Sequence, residues 1–215
     1  MIPPQCRAGA MALALCGLIF AFAAATAQAQ TIAPESAKKF IQGMGDRTVS
    51  ALAMQGDPRK RNDAFTNIML EAIDFDALAL ATMGRMARTV GPADRLEFTR
   101  LFAAHVIDVA IEKFGSIQIN KFDIAGIKQM PNGDAMVRTL IDRAGDRSLS
   151  ADWRVHDAKG AAKINDIEIE GYSLVIHYRG EFERANVSTV PGLIGKLREM
   201  TRDSAALPVT RQTLK

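Results

Sequence analysis

One stretch of the chain, residues 117–170, restricts the possible folds most, because it repeats short alternating segments between turn signals. The pattern is irregular over 122–127 and alternates clearly over 135–142, 149–155 and 164–170. The turn signals are rich in Gly, Asn and Asp and lie at 131–134, 144–147 and 159–160. A period of two is typical of half-buried strands, and short turns join antiparallel neighbours. The stretch therefore predicts an antiparallel sheet rather than strands that alternate with helices.

Helical periodicity flanks the predicted sheet on both sides, with apolar residues three and four positions apart. Upstream it predicts an amphipathic helix over 34–55, a second helix through 65–72, a third that Asp74 caps and that ends near Gly84, and a long apolar helix from about Ala93 to Phe114. Downstream it predicts helices over 173–185 and 190–202. This order indicates a single α+β domain with helices against one face of a twisted sheet.

The first 29 residues are expected to be a secretory signal peptide that is removed. Arg7 precedes an apolar run that ends at Ala25, and small residues at Ala27 and Ala29 form an A-x-A signal for cleavage near Ala29. The run is short for a bilayer span of about 20 residues, which disfavours a retained anchor. The sequence thus predicts an exported protein with one domain over 30–215 and a loose tail from about residue 204.

The composition excludes several classes of function. Both cysteines, Cys6 and Cys16, lie in the predicted signal peptide, so no thiol is left for a disulfide, a nucleophile or a metal site. The net charge is only +3 and the basic residues are interleaved with acids, unlike a nucleic-acid-binding surface. No metal-binding or nucleotide-binding motif is present. Many apolar and few reactive residues favour a binding protein over an enzyme, with no cofactor and no metal expected.

Three carboxylates on the last predicted strand, Asp166, Glu168 and Glu170, are the main candidates for catalysis. They could form an acid–base cluster that faces a cavity. Because they alternate with Ile167 and Ile169, the pattern favours placing all three together on the solvated face of the strand. That placement is the prediction, and it leaves only apolar side chains on the inward face.

The C-terminal third carries the most specific motif of the chain. Its parts are Asp166-Ile167, Glu170-Gly171-Tyr172-Ser173-Leu174, Tyr178-Arg179-Gly180-Glu181-Phe182, and Leu193-Ile194 with Leu197. Together with weaker signals at 73–75, 84–85 and 96–102, these parts resemble the MlaC family of periplasmic phospholipid-binding proteins. The resemblance extends over roughly residues 36–203, which is almost all of the predicted domain.

The resemblance implies an NTF2-like fold, in which a curved sheet and helices enclose a deep apolar pocket. It implies a periplasmic carrier that binds phospholipid acyl chains and shuttles lipid between the outer and inner membranes, maintaining outer-membrane lipid asymmetry without covalent chemistry. The implied partners are an outer-membrane lipoprotein complex and an inner-membrane ABC transporter with an MCE-domain subunit.

Three alternatives stay open. The ligand could be a hopanoid or another polycyclic lipid on the same fold. The protein could be an enzyme of the ketosteroid-isomerase type, which would need a carboxylate inside the pocket. It could also be a scaffold subunit, which would have a filled core and no cavity.

Pocket residues can be predicted only as inward faces, since a pocket wall and a filled core have the same apolar period. At Gly171 the period changes from two to about 3.6, so a strand wall and a helix wall are expected to meet there. The residues expected to bind lipid are Met83, Met86, Phe98, Phe102, Val106, Val109, Val137, Trp153, Val155, Ile167, Ile169, Leu174 and Tyr178.

Overall fold

The alternating segments form one antiparallel sheet whose five strands lie side by side in chain order. A computed structural model describes residues 31–204, so the predicted signal peptide and most of the predicted tail lie outside the described residues. The strands are β1 (Ile119–Gln129), β2 (Ala135–Arg143), β3 (Leu149–Ala158), β4 (Ala161–Ile169) and the short β5 (Tyr172–Ser173). The turns that join β1 to β4 fall at the predicted Gly-containing positions, as antiparallel neighbours require.

The segment 122–127 pairs with β2 as part of one long strand, although its sequence pattern is irregular. The pairing skips one residue between Ile124 and Gly126, which is a β-bulge. The extra residue shifts the phase of alternation, so the sequence pattern loses its period although the strand continues. The register of β1 also shifts between Ile119 and Lys121, and a bulge at Asn165 interrupts the pairing of β4 with β3.

Six α-helices accompany the sheet within the described residues. They are α1 (Pro34–Leu52), α2 (Pro58–Ala72), α3 (Phe75–Met83), α4 (Pro92–Phe114), α5 (Leu174–Arg184) and α6 (Val190–Ser204), with a short 3₁₀ helix at Gly84–Arg88. α1 ends three residues before the predicted boundary, and Asp74 caps α3 as predicted by accepting a hydrogen bond from the Ala77 amide at 2.9 Å. The α+β architecture is confirmed.

Four helices, α1, α2, α3 and α5, pack against strands of the sheet, and α4 and α6 pack mainly against other helices. α1 crosses the inner face of the sheet and packs most closely on β1. The apolar α4 packs on α2, α3 and α6, so it is covered on several sides. Between α4 and the middle of the sheet the side chains do not meet, and a cavity opens there.

Candidate functional site

The cavity lies between the inner face of the sheet and the helices α1, α2, α4 and α5. Its empty space is about 1210 Å³, counted out to the mouth, where it opens to solvent. Every strand of the sheet contributes side chains, and almost all of these side chains are apolar. Because its lining is almost entirely apolar, this space suits the hydrocarbon part of a ligand rather than a polar group.

The sheet wall is apolar even where its residues carry polar atoms. Trp153 lines the cavity in the middle of β3, but its indole nitrogen donates a hydrogen bond to Thr139 Oγ1 at 2.9 Å. Thr139 is fully buried and in turn donates to the Ala151 carbonyl at 3.1 Å. Since these polar atoms are satisfied within the sheet, Trp153 offers the cavity only a hydrocarbon face.

The helix wall comes from the C-terminal half of α4 and from the facing sides of α1 and α2. Val109 and Ala110 are only half-buried although α4 is covered by other helices, because the cavity lies beside them. Thr48 of α1 also lines the cavity, but its hydroxyl donates to the Met44 carbonyl at 2.9 Å within the helix. This wall therefore presents no free donor at that point.

The cavity has a closed end and an open end. At the closed end the backbone amide of Asp74 donates to the Ile164 carbonyl at 2.8 Å, which ties the start of α3 to β4. At the open end lie the last residue of β2, Arg143, and the first residue of β5, Tyr172, which is 81% exposed. The exposure of Tyr172 places the mouth at the edge where β1 and β5 begin and β2 and β4 end.

The joint between β4 and α5 explains the specific motif of the C-terminal third. Glu170 and Gly171 both adopt positive φ angles, 50° and 83°, which reverse the chain so that β5 pairs with β4. Ser173 then caps α5 by accepting from the Ile176 amide at 3.2 Å. Two walls of the cavity meet at this joint, as the change of period predicts.

Asp166 corrects the prediction that all three carboxylates of β4 face solvent. Its side chain is buried and accepts hydrogen bonds from the Ser173 hydroxyl at 2.7 Å and from the Val175 amide at 3.2 Å. The alternation does turn Asp166 away from the cavity, but α5 comes back over this edge and covers it. The carboxylate holds the first turn of α5, where negative charge is favourable.

The titratable groups of the interior do not bring an acidic side chain into the cavity. No Asp or Glu among the described residues lines it. Burial raises the pKa of Asp108 on α4 to about 6, but the helical period turns this residue about 160° away from Ala110 and Val106, which face the cavity. Burial also raises the pKa of Tyr178 to about 12, so its hydroxyl stays protonated and neutral.

The structure places the predicted site residues in two groups. Seven of the thirteen line the cavity: Val106, Val109, Trp153, Ile167, Ile169, Leu174 and Tyr178. Four belong to parts of the core that are filled by side chains: Phe98, Phe102, Val137 and Val155. Met83 and Met86 border a separate, more polar depression beside Arg85 and Arg179. Whether any of the thirteen contacts a ligand stays a prediction.

Much of the wall was not singled out from the sequence. The missed residues come mainly from α1, α2 and the mouth, and they include Met44, Leu52, Phe65, Met69, Ile119 and Arg143. The helical stripes of α1 and α2 do mark their inward faces, but no local signal separates a stripe that borders empty space from one that is packed. Arg143 continues the inward alternation of β2, which is a signal that could have been used.

Other features of the described residues limit the chemistry. Within residues 31–204 no group of three or more His, Cys, Asp or Glu side chains is placed to hold a metal ion. In the same part of the chain, no helix combines the length and the apolar character that crossing a membrane needs.

Comparisons with known proteins agree with this geometry. A family model described as MlaC protein matches residues 37–199. Among solved structures, a phospholipid-binding protein from Ralstonia solanacearum, determined in complex with a phospholipid, is similar with a TM-score of 0.70 and 19% sequence identity. That match covers 79% of this chain and 98% of the other, and it confirms the predicted fold. A search of curated proteins found no match.

Proposed function

The chain belongs to the MlaC family, and on that basis we propose that it is a periplasmic carrier that holds the acyl chains of a phospholipid in its apolar cavity. The observation that carries the proposal is the cavity itself, which stays open between α4 and the sheet although it is lined by apolar side chains. A scaffold protein would fill such a space, since unfilled apolar volume costs stability.

The physics of lipid transfer explains why a protein would keep this space open. Moving a methylene group from a bilayer into water costs about 0.8 kcal/mol. Two acyl chains with about 30 methylenes in total would cost on the order of 24 kcal/mol, a prohibitive barrier. A cavity that replaces the contacts of the bilayer removes most of that cost, and transfer then needs only a small bias in either direction.

The lining of the cavity supports a carrier rather than an enzyme. Acyl chains would enter between the strands and α4, and the polar headgroup would stay near Arg143 and Tyr172 at the mouth. We propose no covalent step, because the isomerase alternative needs a carboxylate in the pocket and none of the described acids lines it. The charge of Asp166 is already committed to the start of α5.

The route of the lipid follows from family membership. We propose that residues 1–29 direct export and are removed near Ala29, leaving the domain 30–215 in the periplasm. There the protein would exchange lipid with an outer-membrane lipoprotein complex and with an inner-membrane ABC transporter that carries an MCE-domain subunit. These partners would each meet the mouth of the cavity, because the headgroup of the lipid would lie there.

The test is to fill the cavity and measure the lipid that the purified protein retains. Ala110→Trp places a large ring in the cavity from α4, whereas Ala93→Trp makes the same change on the exposed first turn of that helix. Native mass spectrometry and solvent extraction should find about one phospholipid per protein in the unchanged chain and in Ala93→Trp. Ala110→Trp should retain a small fraction of that amount, with a similar melting temperature.

The outcomes separate the alternatives. Extracts without phosphorus that contain a polycyclic lipid would assign the hopanoid alternative. Protein that holds no lipid after expression, and that takes none from phospholipid vesicles, would refute the carrier proposal. Equal lipid content in both tryptophan variants would show that lipid binds elsewhere on the molecule.

A further inference from the structure

We infer that Arg143 is the group that recognises the lipid phosphate at the mouth of the cavity, and that it makes the carrier select lipids with a phosphodiester headgroup. This inference rests on the proposed function, since it assumes that acyl chains occupy the cavity. It adds the chemical feature by which one class of lipid is chosen.

The position of Arg143 follows from the register of the sheet. The inward face of β2 carries Ile141 and then Arg143, its last residue, which is paired with Ile119 of β1. The side chain therefore continues the row of inward residues up to the edge where the cavity opens. Arg143 is also the only charged residue that lines the cavity within the described part of the chain.

The guanidinium is fixed before any ligand arrives. Its Nε and one Nη donate to the carbonyl of Arg147, at 3.2 and 2.8 Å, and the other Nη lies 3.1 Å from a carboxylate oxygen of Asp146. A guanidinium has five N–H donors, so these three contacts leave two without a partner among residues 31–204. Because the turn 144–148 holds the side chain in place, little conformational entropy is lost when an anion binds.

The surroundings make an anion the fitting ligand. The side chain of Arg143 is only 13% exposed, while that of its ion-pair partner Asp146 is 60% exposed. The carboxylate is thus well solvated and its attraction is weakened by water. A phosphodiester held at the mouth by its acyl chains could accept two parallel hydrogen bonds from the planar guanidinium of Arg143. Arginine favours this bidentate geometry with phosphate groups.

Neutral lipids would gain nothing from this arrangement. A diacylglycerol with the same acyl chains fills the cavity equally well but offers only a hydroxyl to the guanidinium. A polycyclic lipid without phosphate is in the same position. Hydrogen bonds to a charged group stabilise a complex more than neutral ones do, so Arg143 would convert an unspecific apolar cavity into a phospholipid site.

The experiment offers the lipid-stripped protein two lipids that differ only in the headgroup. Micelles of a non-ionic detergent contain equal amounts of dioleoyl phosphatidylglycerol and dioleoylglycerol, and the lipids bound to repurified protein are quantified by mass spectrometry. We expect the unchanged protein to prefer phosphatidylglycerol about tenfold and Arg143→Gln to lose most of this preference. Total bound lipid should stay within about twofold, since the acyl contacts remain.

Two further variants make the test specific. Arg147→Gln is the matched control, because it removes a positive charge from the same turn but keeps the backbone carbonyl that orients Arg143. It should leave the preference unchanged. Asp146→Asn removes the competing carboxylate and keeps a side-chain oxygen that can accept from the Arg147 amide, so it should raise the preference. This increase is measurable even where Arg143→Gln does not fold.

The failures are distinguishable. Unchanged protein that binds neither lipid would refute the proposed function. Lipid binding with the same ratio in the unchanged protein, Arg143→Gln and Asp146→Asn would leave that function standing and overturn the role of Arg143. Inorganic phosphate in excess should not alter the ratio, because a free anion has no acyl chains to hold it there. Loss of the preference on adding phosphate would assign the site to free phosphate instead.

Discussion

The two halves of α4 face the same interior but border different surroundings. In the N-terminal half, Phe98 and Phe102 are fully buried and stack with their ring centres 5.8 Å apart. The ring of Phe182 on α5 packs against Phe98 with ring centres 6.0 Å apart. The ring of Tyr178 packs edge to face against Phe102 with ring centres 5.0 Å apart. In the C-terminal half, Val109 and Ala110 are only half-buried and line the cavity.

The difference comes from side-chain size and from the distance to the facing element. Aromatic rings reach across the gap between α4 and α5 and fill it, as dense interiors require. Around Val106, Val109 and Ala110 the side chains are smaller and the facing element is the sheet, and there the space stays open. One continuous apolar helix can thus stabilise the fold with one half and leave room for a ligand with the other.

The largest expected effect is on the free energy of unfolding, and it distinguishes the two halves of α4. Phe102→Ala removes a ring that is packed on two others, and it should lower the free energy of unfolding by about 3–5 kcal/mol. Val109→Ala only enlarges an existing space, and its cost should be about 1 kcal/mol. Urea unfolding of the lipid-stripped proteins measures both values. Equal costs would show that the cavity closes in solution.

A smaller effect is expected at the joint that brings α5 to the border between the halves. Asp166→Ala leaves the Ser173 hydroxyl and the Val175 amide without their acceptor, and it should cost about 2–3 kcal/mol. Glu168→Ala, two residues further on the same strand, is the control and should change stability by less than about 0.5 kcal/mol. Faster hydrogen exchange at the start of α5, found only in Asp166→Ala, would locate the effect.

The outcome at Asp166 shows why side-chain environments are harder to predict than elements. The alternation of β4 correctly separates Ile167 and Ile169 from the acids. It does not contain the path of α5, which returns over the strand and buries one of the three acids. Burial by a segment that follows in the sequence is a tertiary effect, so the period of a single strand cannot predict it.

The same reason limits the prediction of the cavity. Strand order, the helices and the α+β architecture follow from local periods and turn residues. Whether Phe98 or Val109 borders empty space depends on the distance between α4 and the element opposite. The local sequence pattern contains no information about that distance. The bulge in β1 shows the converse, since an extra residue breaks the period of a strand that is continuous in three dimensions.

The smallest expected effect concerns the contact between α1 and the cavity wall. Gly45 of α1 is buried against Phe122, and a Cβ added there would lie 2.3 Å from two atoms of that ring. Phe122 itself lines the cavity, with its ring centre 6.3 Å from that of Trp153. Gly45→Ala must therefore push the ring aside, and the empty space of the cavity is where it can go.

Gly43 on the same helix provides the matched control, because it is exposed and an added Cβ would meet no atom within 4 Å. Gly43→Ala should stabilise the protein by up to about 1 kcal/mol through helix propensity alone. Gly45→Ala has the same gain in helix propensity, but displacing the ring costs more than this gain. We therefore expect the free energy of unfolding, measured in urea, to fall by about 1 kcal/mol. It should also retain less lipid than Gly43→Ala after purification. If Gly45→Ala is as stable as Gly43→Ala and binds as much lipid, then Phe122 moves without cost and is not a fixed part of the wall.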